Sequence, residues 1–328
     1  MDLRKEIQLN PVADEVQALI AVTIPIVKGM LFSIKDEALS DAGGISNIKL
    51  RQLPRIHKPG DGDCGICFEY AVHDAISKNN QTILDKIDTA LTKHCRIING
   101  NPESILFGAE KTGTIQLIDT AHNILTSDSR LLSGSKGQPV KLKKHINSVA
   151  AAFRKRDLRE QLPNCINGLW KADLFIGKTG PDHWVGTTVK INPRHLEGAN
   201  GLRLAIVPSQ QGKSDKIKKD TSKNLLIVPL PYDGSFMEIF YQAWQIVTQF
   251  MHADAKVPKE VSLPRPPDRQ VCKFLEERRE YPILDVLEAL EPLAQPELIK
   301  TSQESPDILL KRGDDINLSA LITPMPNF

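Results

Sequence analysis

The chain has 328 residues, 41% of them apolar and 25% charged, and a formal net charge of +2. This is the composition of an ordinary globular protein with room for one large domain or two smaller ones, and it excludes a globally basic chain, so any nucleic-acid surface has to come from local clustering. Five cysteines, with no basic-then-apolar leader at the start, lead to the expectation of a reducing cytoplasm.

Taken in chain order, Asn10-Pro11 followed by Asp14-Glu15 reads as a helix start, with a cap, a first-turn proline and acids against the helix dipole. The apolar run from Val16 to Ile34 is interrupted by Gln17, Thr23, Pro25 and Lys28, which suits a core segment better than a membrane span. Residues 35 to 60 are rich in turn formers, with Gly43-Gly44, Pro54 and Pro59-Gly60, and read as a link. A helix follows over 65–76, where Phe68, Val72 and Ile76 form an apolar stripe and Glu69 stands at its margin. Gln81 to Cys95 is amphipathic and ends before Gly100-Asn101-Pro102. Asp119, Thr120 and His122 take no assigned role.

The densest positive run is Lys136, Lys141, Lys143, Lys144, Arg154, Lys155, Arg156 and Arg159, predicted on one helix from about Leu142 to Leu162. Such a run is either a solvated face or a wall that contacts phosphates, and in the second case Lys143, Lys144 and Arg154 are the expected nucleic-acid contacts. Next come two β-rich runs, Ala172 to Ile176 and Trp184 to Ile191, which flank Gly177 to His183 and predict an antiparallel hairpin. Folded symmetrically about Pro181 and Asp182, it sets Asp173 opposite Lys190, and the period of two places Thr188 on the same face as Lys190. One side of the ribbon therefore offers an acid, a hydroxyl and an ammonium. Leu202 to Val207 and Leu225 to Leu230 are buried strands, a lysine-rich loop (Lys213 to Lys223) lies between them, and Glu238 to Met251 is a core helix. Pro258, Pro264, Pro266 and Pro267 mark a linker into helices at Arg269 to Arg279 and Ile283 to Leu290.

The order of these pieces resembles a known family. A G-x-x-F-E-x-x-V helix, an Asp in a short apolar strand, and an x-x-K strand fifteen to twenty residues later are similar to the restriction-endonuclease-like, or PD-(D/E)xK, nucleases. The resemblance implies an α/β fold with a mixed central sheet of restriction-endonuclease-like type, Glu69 and Asp173 as ligands of Mg2+ (or Mn2+), and Lys190 orienting or activating the attacking water. Thr188 stands where the family usually carries a carboxylate. The literal Pro181-Asp182 pair falls at the hairpin tip, too close in sequence to Thr188 to face it. Double-stranded DNA is the expected substrate, bacterial restriction or antiphage defence the implied setting, and a homodimer mate or partner protein the source of targeting.

A rival resemblance starts at Gly60-Asp61-Gly62-Asp63-Cys64-Gly65-Ile66-Cys67-Phe68, which is similar to the catalytic helix of papain-like cysteine peptidases. It implies Cys67 as nucleophile and His183 as base, although no Gln precedes Cys64 at the needed distance. Cys64, Cys67, His94 and Cys95 also have partial zinc-ligand spacing, with buried free thiols as the alternative. His73, one turn after Glu69, reads as a partner of that carboxylate or a core histidine. The expected organisation is a helical N-terminal region (1-59), a restriction-endonuclease-like domain (60-257) and a proline-rich linker with a helical tail (258-328). A nuclease fold kept as an inactive nucleic-acid-binding module is the third possibility.

Overall fold

The computed structural model describes residues 12–112, 121–132, 139–209, 214–231 and 236–299. Among them are eleven α-helices and one mixed eight-stranded sheet, an α/β architecture with helices on both ends of the chain. The first half contributes α1 (Asp14–Phe32), α2 (Asp36–Asp41), α3 (Leu53–Ile56), α4 (Asp61–Ser77) and α5 (Gln81–Thr89), then strand β1 (Pro102–Leu106) and α6 (Phe107–Thr112). After these come α7 (Ala121–Ile124), β2 (Arg130–Leu131), β3 (Val140–Lys141) and α8 (Leu142–Arg154). The second half supplies β4 (Leu174–Lys178), β5 (His183–Val189), β6 (Arg203–Pro208), β7 (Lys218–Asp220) and β8 (Leu225–Leu230), then α9 (Phe236–His252), α10 (Pro266–Glu277) and α11 (Ile283–Leu290).

The strand order is β1-β4-β5-β6-β8-β7. Antiparallel pairing joins β1, β4 and β5, whereas β6 and β8 continue in parallel and β7 closes the edge antiparallel. The far edge of β5 is shared, since β2 pairs with its first residues and β6 with its last. Alternation then splits the strands between two faces. Leu174, Ile176, Val185, Val189, Leu204 and Ile206 join α1, α4 and α9 in the larger core, while Phe175 and Trp184 pack on the α7 and α8 side.

Helix α1 is apolar all round and long enough to cross a membrane by length and composition, yet it lies inside the fold, packed by α4, α9 and α10. It starts at Asp14 with no side-chain cap and runs through Pro25; Asn10-Pro11 lie outside the described residues. The chain ends interlock as well. Leu50 N donates to Tyr281 O and Ile283 N to Ile48 O, so residues near 50 and 282 form a small bridge. One hydrophobic core thus includes residues on both sides of the divisions at 60 and 258. The proline stretch is short, anchored by fully buried Leu263, and α10 begins at Pro266. The end of the chain beyond Ile299, Asp119, Thr120, Lys136 and Lys213 lie outside the described residues.

The basic helix is shorter than its sequence pattern. α8 stops at Arg154 because Lys155 is extended (φ −121°, ψ 117°), and a 3-10 turn over Arg156–Leu158 follows. Close packing elsewhere rests on Gly29. A Cβ there would sit 2.9 Å from both the Cα and the Sγ of Cys67, so α1 and α4 approach at the distance a hydrogen allows. Gly29→Ala is therefore expected to destabilise the fold by about 1–3 kcal/mol in urea unfolding; an unchanged midpoint would show that the two helices separate without strain.

Candidate active site

The hairpin forms, in a register one same-face step away from the symmetric expectation. β4 and β5 pair Lys178 with His183 and Leu174 with Thr187, leaving only residues 179–182 in the turn. The tight turn needs Asp182 in the left-handed region (φ 50°), which an Asp tolerates. Continued by one residue, this register sets Asp173 across from Thr188 instead of Lys190. Lys190 leaves the strand beyond that pair and reaches back.

The Asp173 carboxylate is the meeting point. It is 6% exposed, and its Oδ2 accepts hydrogen bonds from Thr188 Oγ1 (3.0 Å), Val189 N (2.9 Å) and Lys190 Nζ (3.0 Å). A buried carboxylate persists only where donors replace its lost hydration, and the end of β5 supplies three in sequence. Its Oδ1 faces Lys111 Nζ at 3.8 Å. Glu69 arrives from α4, on the other layer, and places Oε1 3.5 Å from Lys190 Nζ, with 17% of its side chain exposed. Glu69, Asp173, Thr188 and Lys190 thus come together, two carboxylates sharing one ammonium nitrogen.

The electrostatics follow from crowding. Burial, then the neighbouring Asp173, push the Glu69 carboxyl up to about 8, against the opposing pull of Lys190 and Lys111. Burial also pulls Lys111 below its ordinary value. For Lys190, burial pulls down but Asp173 and Glu69 more than offset it, so this ammonium keeps its proton above the usual lysine range. A third ligating side chain is missing: among the described residues no group of three or more His, Cys, Asp or Glu side chains is placed to share an ion. The donors present still suit Mg2+, which takes hard oxygen ligands from one or two carboxylates and fills the rest of its octahedron with water and phosphate oxygens.

A cleft of about 300 Å³ opens beside these groups, walled by Lys111, Phe153, Trp170, Lys190 and Arg203 among others. No known protein family, curated protein or solved structure matches the chain. The chemical reading therefore stands on the geometry of this cleft and on the residues that reach it.

Two of those residues gave no sequence signal strong enough to find. Lys111 sits on α6, and α6 is held over the site by Gly108, whose N–H donates to Asp173 O (2.9 Å). Arg203 opens β6 and donates from a terminal nitrogen to Gly168 O (2.7 Å). Its charge at the head of an otherwise apolar strand was the available clue, because period two puts it on the face of Ala205, which lies opposite Thr188.

Two of the three expected nucleic-acid contacts, Lys143 and Arg154, also bond within the chain. Lys143 Nζ donates to Leu125 O (2.7 Å), and Arg154 Nε donates to Lys111 O (2.5 Å), which ties the last turn of α8 to α6. Lys144 is exposed. His73 does not meet Glu69; its Nδ1 pairs with Ser104 Oγ on β1 (3.0 Å), and burial lowers it to about 4. Asp182 is a tether at the hairpin tip. Burial pushes its carboxyl up, but hydrogen bonds from Thr126, Trp184 and Ser129 more than offset this and hold it below the usual range.

The peptidase pair is not assembled. Cys67 is fully buried, its Sγ donates to Ile26 O on α1 (3.3 Å), and burial pushes the thiol well above its ordinary value. His183 begins β5, at the opposite end of that strand from Lys190.

Two outcomes are expected. At pH below the ordinary glutamate value of 4.5 the Glu69 carboxyl is neutral folded and unfolded; from there to about 8 only the folded chain keeps the proton. Wild type should therefore lose stability relative to Glu69→Gln as pH rises through that window, and parallel urea midpoints at pH 5 and pH 8 would refute the assignment. Iodoacetamide should modify the exposed Cys165 in the folded protein and leave Cys67 untouched until denaturant is added, as read by peptide mass mapping.

Proposed function

We propose that this chain is a metal-dependent nuclease that hydrolyses nucleic-acid phosphodiester bonds, DNA in the first instance, on a restriction-endonuclease-like core. The observation that carries the reading is the convergence of Glu69, Asp173, Thr188 and Lys190 at one end of the β4–β5 hairpin. A mixed sheet with an Asp entering one strand and a Thr-x-Lys leaving its antiparallel neighbour agrees with that core. Glu69 and Asp173 would hold Mg2+ (or Mn2+), which when bound lowers the pKa of water and offsets charge on the phosphate.

The chain's own residues have distinct parts. Thr188 and the Val189 amide fix one oxygen of Asp173, so the carboxylate cannot rotate away. Lys190, protonated at neutral pH, donates toward the attacking water or a phosphoryl oxygen and so orients the reactants. Lys111 and Arg203 add positive charge where negative charge grows on phosphorus-bound oxygens, in a cleft partly shielded from water. A water oxygen bonds to phosphorus, the bond to one ester oxygen breaks, and that oxygen leaves with a proton. The proposed setting is bacterial restriction or antiphage defence in the cytoplasm, with targeting from a dimer mate or partner protein.

A second reading, an inactive nucleic-acid-binding module, is favoured by one contact. The Lys111 ammonium faces Asp173 Oδ1, one of the oxygens a metal would use. Cleavage separates the two. With Mg2+ the wild type should cut DNA and lose the activity in EDTA, and Asp173→Asn and Lys190→Ala should each reduce the rate by at least about a hundredfold with folding intact. DNA binding without metal-dependent cleavage would select the binding module.

A further inference from the structure

The cleft lined by Asp173 is also walled by two aromatic rings, Phe153 and Trp170. Phe153, in the last turn of α8, is 40% exposed and is among the few large apolar side chains described that face solvent. It is held in place. Arg154 Nε bonds to Lys111 O, and the Lys111 ammonium lies 4.9 Å from the Phe153 ring centroid, so the ring and the site cation are a fixed pair. Arg159 braces the other side: its Nε donates to Ala152 O (3.0 Å), a terminal nitrogen donates to Phe153 O (3.4 Å), and its guanidinium stacks 3.9 Å from the Trp170 ring centroid.

The Phe153 ring thus covers the buried Lys111 ammonium and at the same time lines the cleft beside Lys190 and Arg203. Aromatic rings next to phosphate-binding cations are what an unpaired base needs, because every base has a π-face and its phosphate lies one sugar away. A duplex hides those faces in its own stack, so its bases cannot meet Phe153 without being extruded. We propose that the cleft takes single-stranded nucleic acid, with an unpaired base stacked on Phe153 and the adjacent phosphate among Lys111, Lys190 and Arg203. This deepens the nuclease reading, and rests on it for the phosphate's position.

The test is binding measured in EDTA, so that cleavage plays no part. Fluorescence anisotropy would compare a labelled single-stranded DNA oligonucleotide, the same strand carrying abasic sites, and the matching duplex. Wild type should prefer the intact strand to the abasic one and to the duplex. Phe153→Ala should weaken intact-strand binding about tenfold and leave abasic-strand binding unchanged, while Phe153→Trp retains the preference. Equal affinity of wild type for intact and abasic strands, or no effect of Phe153→Ala, overturns the stacking wall; if Mg2+-dependent cutting of duplex then still requires Lys190, the nuclease reading stands alone. Conversely, Phe153-dependent strand binding without any cutting in Mg2+ supports the wall and removes the nuclease reading.

Discussion

A carboxylate taken out of water must be given back its donors, and the neighbourhood of Asp173 is built around that demand. Two carboxylates buried side by side would repel, and one would be forced to neutrality. Here Lys111 and Lys190 stand beside the pair and keep Asp173 supplied with partners, while burial and Asp173 still hold the proton on Glu69 up to about 8. Asp173 is partnered from both sides, by Lys190 on one oxygen and Lys111 on the other, so the constellation rests on several shared contacts more than on any single strong bond. The elements that bring it together come from three places in the sequence, α4, α6 and the β4–β5 hairpin, and each is fixed by its own packing. α4 is pressed onto α1 through the Gly29–Cys67 approach, α6 hangs on the Gly108 amide, and the hairpin is pinned at its tip by Asp182.

Much of this was legible in the residues because it is local. Period two in Trp184 to Ile191 and period 3.6 in Phe68, Val72 and Ile76 identify the strand and the helix that carry Lys190 and Glu69, and the faces follow from those periods. The hairpin register was not legible, since the two runs alone do not decide whether Gly177, Lys178 and His183 extend the strands or stay in the turn, and that choice moves every cross-strand pair. That choice depends on contacts outside the hairpin: Lys178 is drawn to Asp88 on α5, and Asp182 to Thr126 and Ser129. Lys111 was invisible for the same reason. A lysine on a short helix looks like any surface lysine until the fold places two carboxylates beneath it.

The basic run teaches the converse. Its charge density reads as a surface for phosphates, yet Lys143 and Arg154 each donate to a backbone carbonyl of the chain itself. Long cationic side chains serve as clamps as readily as they serve as ligand contacts, and sequence alone does not separate the uses. Arg159 makes the point most fully, since one guanidinium meets two carbonyls and a ring.

Helix α1 has a consequence for how the chain is made. It is synthesised before α4, α9 and α10, the helices that cover its sides, the last of which begins at Pro266. At elongation rates of about 5–20 residues per second, its apolar surface waits on the order of ten to fifty seconds for its final cover. During that interval the nascent protein is a client for any holdase that recognises exposed hydrophobic helix. Truncated products of an interrupted message share the defect permanently, so quality control would clear them before they could act.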